Sequence, residues 1–132
     1  MIFLDSTVLI DYFNGRDTWQ VDILDSMLGK ELMVIGDYVL TEVLQGFKKD
    51  KDYKDARTVL LSFPCYTIGG KEIAIISADN YRFLRKNGIT ARKTIDVMIA
   101  TFCIKYGFTL LHNDKDFEPF EMFLNLKVCH KK

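Results

Sequence analysis

The sequence predicts an α/β fold with a parallel sheet covered by helices on both faces. Two observations predict it: short apolar runs bounded by turn residues alternate with amphipathic segments along the 132 residues, and the longer of those segments keep helical spacing ended by glycine. In addition, no internal repeat, low-complexity tract or Pro/Ser-rich linker divides the chain, so its length fits one domain over residues 1–132 with one site.

The elements follow in order. Ile2-Phe3-Leu4 is a short buried strand, and Ser6-Thr7 offer side chains to cap a helix starting near Val8. Asp5 then stands at a strand's carboxyl end. Residues 17–29 have helical character with Gly29 as the stop, and Leu32 to Ile35 form a second strand. Gly36-Asp37 opens a helix through Lys48, with Asp37 as its expected cap. A helix over 52–62, a strand from Cys65 to Ile68 and a break at Gly69-Gly70 come next. From Glu72 to Asn87, Ile73, Ile76, Phe83 and Leu84 fall near one helical face, and Gly88 ends it. Over 94–106, Ile95, Met98, Ile99, Phe102, Cys103 and Tyr106 keep the spacing of an apolar stripe ended by Gly107. Thr109 to Leu111 is a strand, His112-Asn113-Asp114 the turn after it, and Leu126 to Cys129 a last strand.

Composition removes several function classes. The apolar runs are too short to span a bilayer, and the first residues lack the basic start of a secretory signal, so the cytoplasm is the expected compartment. Three cysteines, Cys65, Cys103 and Cys129, are odd in number and far apart, which argues for buried thiols over a disulfide framework or thiolate zinc site. With 18 basic and 18 acidic residues no global field draws the chain toward nucleic acid, so such a substrate needs a local basic patch or bound cations. His112 and His130 have no partner at metal-ligand spacing, and no Gly-rich phosphate loop is present. The run Arg82, Arg85, Lys86, Arg92, Lys93, interleaved with Tyr81 and Phe83, is a solvated surface that would also suit a phosphate backbone.

Four carboxylates stand out by position. In a parallel sheet Asp5 and Asp114 open at the same edge. Asp96 shares its helical face with Ile99, Ala100 and Cys103, an inward surface on which a lone charge costs several kcal/mol unless paired, protonated or metal-bound. Glu42 borders the Val39, Leu40, Val43, Leu44 stripe, with Gly46 leaving room beside it. Singly, each has an ordinary explanation: a helix cap for Asp5, pairing with Arg92 or Lys93 for Asp96, a surface place for Glu42, a turn for Asp114. Jointly, placed at strand ends and inward faces without an evident cationic partner, they suggest a hard oxygen-ligand site for Mg²⁺ or Mn²⁺.

The opening IFLDSTVLIDYF, Thr41-Glu42-Val43, the run Ile95-Asp96-Val97-Met98-Ile99-Ala100 and Leu110 through Phe117 together resemble the PIN-domain family, in particular its VapC-type toxin ribonucleases. The resemblance covers residues 1 to about 117. It implies a three-layer α/β/α fold with a parallel sheet and an acidic pocket holding Mg²⁺ or Mn²⁺. Asp5, Glu42, Asp96 and Asp114 match the family's acidic quartet, Asp116 a frequent extra acid, and Thr7 the polar residue supporting the first Asp, while Asn113 stands where Thr or Asn is common. It further implies hydrolysis of RNA, transfer RNA prominent among targets, to 3′-hydroxyl and 5′-phosphate ends, a homodimer, and an inhibiting antitoxin protein.

Competing classes fit less well. A haloacid-dehalogenase-like phosphatase needs a second Asp two residues after the first, and Thr7 stands there. A phospho-accepting receiver domain needs an Asp after the third strand, and Cys65 to Gly70 has none. A PIN-fold RNA- or protein-binding module with a degenerate site is opposed by the intact quartet.

Overall fold

A computed structural model describes all residues from Met1 to Lys132. β1 (Ile2–Leu4), β2 (Met33–Gly36), β3 (Cys65–Tyr66), β4 (Thr109–Leu111) and β5 (Lys127–Val128) form one sheet in the order β3-β2-β1-β4-β5, every pairing parallel. Successive strand residues face opposite sides, and all residues of β1 and β2 are buried, so both faces of the sheet centre are covered. The helices are α1 (Ser6–Phe13), α2 (Trp19–Met27), α3 (Asp37–Leu44), α4 (Asp50–Leu60), α5 (Lys71–Lys86), α6 (Thr94–Tyr106) and α7 (Glu118–Leu124). α1 packs on α2 and α3, and α3 on α4; α5 packs on α6 and α7. The α/β fold with a central parallel sheet is as expected from the sequence. No helix is long and apolar enough to cross a membrane.

Packing at the centre is aromatic and close. The Phe3 ring lies 6.0 Å from that of Phe102 on α6 and 6.1 Å from that of Phe108, which leads into β4. A Cβ on Gly36 would stand 2.5 Å from Ile68 and 2.9 Å from Phe3, so only glycine lets β2 turn into α3 at that spot. Gly107 closes α6 in the left-handed conformation, φ +74°, as its sequence position predicts.

Several sequence expectations are corrected. Asp5, not Ser6 or Thr7, caps α1, which starts at Ser6. The segment 17–29 is helical only over Trp19–Met27, with Thr18 accepting from the Val21 N–H. Asp37 lies inside α3 with Gly36 as its cap, and its carboxylate accepts from the Tyr38 N–H and, across the chain, from the Ile68 N–H. β3 is two residues long, Cys65–Tyr66, where a strand from Cys65 to Ile68 is expected, and the Ile68 N–H goes to Asp37. α3 ends at Leu44, four residues short of Lys48, and α4 begins at Asp50. α7 has no counterpart in the sequence pattern. Phe83, Ile95 and Tyr106 are exposed although the stripes include them, and Cys65 is exposed where a buried thiol is expected; Cys103 is buried, and its thiol is pushed well above the usual range by that burial.

Candidate metal centre

The strand order decides where a site can form. β2 and β3 extend the sheet on one side of β1, and β4 and β5 on the other, so connections leave in opposite directions between β1 and β4 and open a crevice beyond their carboxyl ends. Leu4 pairs with Leu111, and the Asp5 N–H donates to the Leu111 carbonyl at 3.0 Å. The residues that follow these partners, Asp5 on one side and His112-Asn113-Asp114 on the other, therefore enter the crevice together.

Thr7 joins the two loops. Its hydroxyl donates to Asp5 Oδ2 at 2.6 Å and accepts from the Asn113 N–H at 2.9 Å, while its own N–H donates to the same Asp5 oxygen at 3.1 Å. Asn113 in turn donates through its side chain to Asp11, a buried acid of α1 that the sequence pattern does not single out. Asp5 is 2% exposed, and its Oδ1 is left with no hydrogen-bond partner. Burial, with the Glu42 charge adding to it against the Thr7 hydrogen bonds, pushes its carboxyl up to about 6.

Asp96 arrives from the first turn of α6 on the same buried side as Ile99, Ala100 and Cys103, and is 7% exposed. Burial first and the Asp5 charge second push it to about 6. Glu42 on α3 is half-buried, with its pKa raised by burial and by Asp96; its Oε1 has no partner. Asp114 caps the short 3-10 turn Lys115–Phe117 by accepting from the Asp116 N–H at 2.9 Å. Burial pushes Asp114 up, but that bond and the Lys93 ammonium hold it below the ordinary carboxylate range. Carboxylate oxygens of Asp96, Asp114 and Asp116 gather within 4.8 Å of one another. Of the predicted acids, Asp96, Asp114 and Asp116 gather together, Asp5 and Glu42 adjoin them closely enough for mutual charge repulsion, and Thr7, itself bonded by Asn113, supports Asp5 by hydrogen bonds.

One expectation fails here: the cluster does have cationic partners. Lys93 Nζ lies 3.0 Å from Asp114 Oδ2 and 3.7 Å from both Asp96 and Asp116, and Arg92 Nη2 lies 2.8 Å from Asp116 Oδ1. Lys93 precedes Asp96 by three residues, a spacing that offers the contact but leaves a long side chain equally able to reach solvent. His112 accepts from the Asp114 N–H through Nδ1 and packs on Phe117 at 4.9 Å; burial lowers its pKa.

Comparison with known proteins agrees with the fold. The family model described as PIN domain matches residues 2–121. The chain belongs to the PIN domain family. This PIN domain is 24% identical over 131 residues, 98% of each chain, to the ribonuclease VapC11 of Mycobacterium tuberculosis. Among solved structures it is similar to one of VapBC2 from Rickettsia felis bound to a DNA fragment from their promoter, with a TM-score of 0.74, 20% identity and 98% of each chain covered. A toxin–antitoxin complex from Klebsiella pneumoniae matches with a TM-score of 0.73 and 22% identity, over 100% of this chain and 98% of the other.

Proposed function

We propose that this PIN domain is a metal-dependent endoribonuclease, the toxin of a VapBC-type toxin–antitoxin pair, with Asp5, Glu42, Asp96 and Asp114 as its active site. The observation that carries the reading is a set of buried carboxylate oxygens with no hydrogen-bond donor, Asp5 Oδ1, Glu42 Oε1, Asp96 Oδ2 and Asp116 Oδ2, of which only the last two have a cation nearby, Lys93 at 3.7 Å. Buried anionic oxygens without donors are costly in a protein alone, and an all-carboxylate donor set fits Mg²⁺ or Mn²⁺ better than a softer ion. When bound, such an ion supplies a water that ionises near neutral pH and offsets charge on the phosphodiester oxygens. Asp116 adds a further ligand to the quartet.

The chain's own residues prepare that geometry. Thr7 locks the Asp5 carboxylate by two hydrogen bonds to one oxygen, which leaves the other buried and without a donor. The Asp116 N–H fixes Asp114 through its Oδ1, while the Lys93 ammonium takes its Oδ2. α1 and α6 begin at the crevice, so the positive ends of two helices lower the cost of gathering the acids. The names of the curated relatives support the ribonuclease reading, and the toxin–antitoxin structures of similar fold support an antitoxin partner. The crevice already takes one ammonium, so an antitoxin Arg or Lys inserted there is the expected mode of inhibition. A homodimer belongs to the same reading, with exposed Ile75 and Phe83 on α5 as apolar surface available to it.

With Mg²⁺ or Mn²⁺ the purified protein is expected to cleave RNA to 5′-phosphate ends and to stop in excess chelator. Asp96→Asn should lower cleavage by roughly two orders of magnitude or more while the circular dichroism spectrum stays native. Cleavage that continues in chelator overturns the metal-dependent reading.

A further inference from the structure

Lys93 has no part in the carboxylate quartet, and its place is not explained by the helix it precedes. It is the N-cap residue of α6 yet makes no side-chain cap bond, and a positive charge at a helix N-terminus opposes the helix dipole. What holds its head group is the acidic crevice. The ammonium sits 3.0 Å from Asp114, 3.7 Å from Asp96 and 3.7 Å from Asp116, the three carboxylates whose oxygens gather within 4.8 Å. Arg92 closes the outer side of the same group through Asp116. Deeper in, Asp5 is 2% exposed with Oδ1 unpartnered and Glu42 Oε1 is likewise without a donor; no cation lies within salt-bridge distance of either, although the Lys93 charge still reaches Glu42. The ammonium thus occupies the outer part of the crevice.

We propose that the Lys93 ammonium is a resident cation of the outer position, formed by Asp96, Asp114 and Asp116, which a divalent ion must expel to bind there. The inference rests on the metal reading of the site given above. Only one of the three carboxylates is within hydrogen-bond distance of the ammonium; the other two are attracted without a bond, so the ammonium holds the position incompletely. Lysine is a compact charge on a flexible stem, and 57% of its side chain is exposed here, so it can swing into solvent without disturbing the core. The affinity of this position for a divalent ion is therefore set in part by a residue that is not a ligand.

Two measurements on the full chain test this, neither of which reads activity. In calorimetric Mn²⁺ titrations, Lys93→Met should bind Mn²⁺ about tenfold more tightly than wild type, because loss of a partly exposed ion-pair network lowers the cost of entry. Lys93→Arg, which keeps the charge, should stay near wild type. In mass-spectrometric footprinting with an amine-acylating reagent, Lys93 should become more reactive when Mn²⁺ is added. Lys105, paired with Glu72 at 2.7 Å away from the crevice, should not. Unchanged Mn²⁺ affinity in Lys93→Met, identical behaviour of the Met and Arg variants, or Lys93 labelling that ignores Mn²⁺ overturns the proposal. If wild type and Lys93→Met both bind no Mn²⁺, the metal reading falls and this inference with it, which separates the two failures.

Discussion

Asp96 carries most of the information at the scale of single residues. Its carboxylate is enclosed by α6 and faces Asp5, and both carboxyls are pushed to about 6, so at neutral pH the metal-free site holds charges it would rather lose. Replacing one charge with an isosteric amide relieves that repulsion. Asp96→Asn is expected to raise metal-free stability by about 1 kcal/mol, the scale of a single pKa unit, and to shrink the stabilisation gained from Mn²⁺. Thermal melts of both proteins, with and without Mn²⁺, check it; a destabilised mutant with an undiminished Mn²⁺ gain would make Asp96 an ion-pair partner of Lys93 and nothing more. Gly36→Ala tests packing. Its methyl would press on Ile68 and Phe3, and a loss of about 1–3 kcal/mol in denaturant unfolding is expected. Asp96 was legible in the sequence because helical spacing determines which neighbours share its face. Lys93 was not, because spacing says nothing about where a four-carbon stem ends.

At the scale of elements, legibility followed length and periodicity. α6 and α5 have enough turns for the apolar pattern to declare itself, and their ends agree with the sequence within two residues. α7 is seven residues long, begins with Glu118-Pro119 and sits directly after a 3-10 turn, so its one fully buried side chain, Phe120, cannot establish a period. Asp37 shows the opposite error. Its composition says cap, but its carboxylate is used across 31 residues to hold the Ile68 N–H, a contact local rules cannot foresee. Asp37→Ala should leave that donor without its partner and cost about 1–3 kcal/mol, read as a lower midpoint in urea with an unchanged slope.

For the whole molecule, the acid cluster imposes a pH dependence. Asp5 and Asp96 have folded-state values near 6 against an ordinary 3.8, so each binds its proton more tightly folded than unfolded. Metal-free stability therefore rises as pH falls through 6, and the gain is complete near pH 4. Asp114 acts in the other sense, since a carboxyl held below its ordinary value loses its contribution as pH falls past 3.8. In chelator, the unfolding free energy should increase by on the order of 3 kcal/mol between pH 7 and pH 4, the coupled pair titrating as a unit. A melting temperature that falls steadily over that range would contradict the raised values. With saturating Mn²⁺ the trend should reverse, because protons then compete with the ion. The neutral net charge gave no hint of this, since it records totals and not the gathering of five acids at one sheet edge.

The seam between β1 and β4 sets when in the protein's life the site can exist. Asp5 and Glu42 belong to the first third of the chain and Asp96, Asp114 and Asp116 to the last, and the bond from Asn113 to Thr7 spans 106 residues. A ribosome making this chain releases the early acids long before their partners, so a growing chain carries half a crevice and cannot complete it until β4 and the turn after it have emerged. Nothing short of nearly the full length assembles the cluster. Under the function proposed above, the site forms only once the chain is nearly finished, and an inhibitor that recognises the complete crevice can engage it no earlier than that.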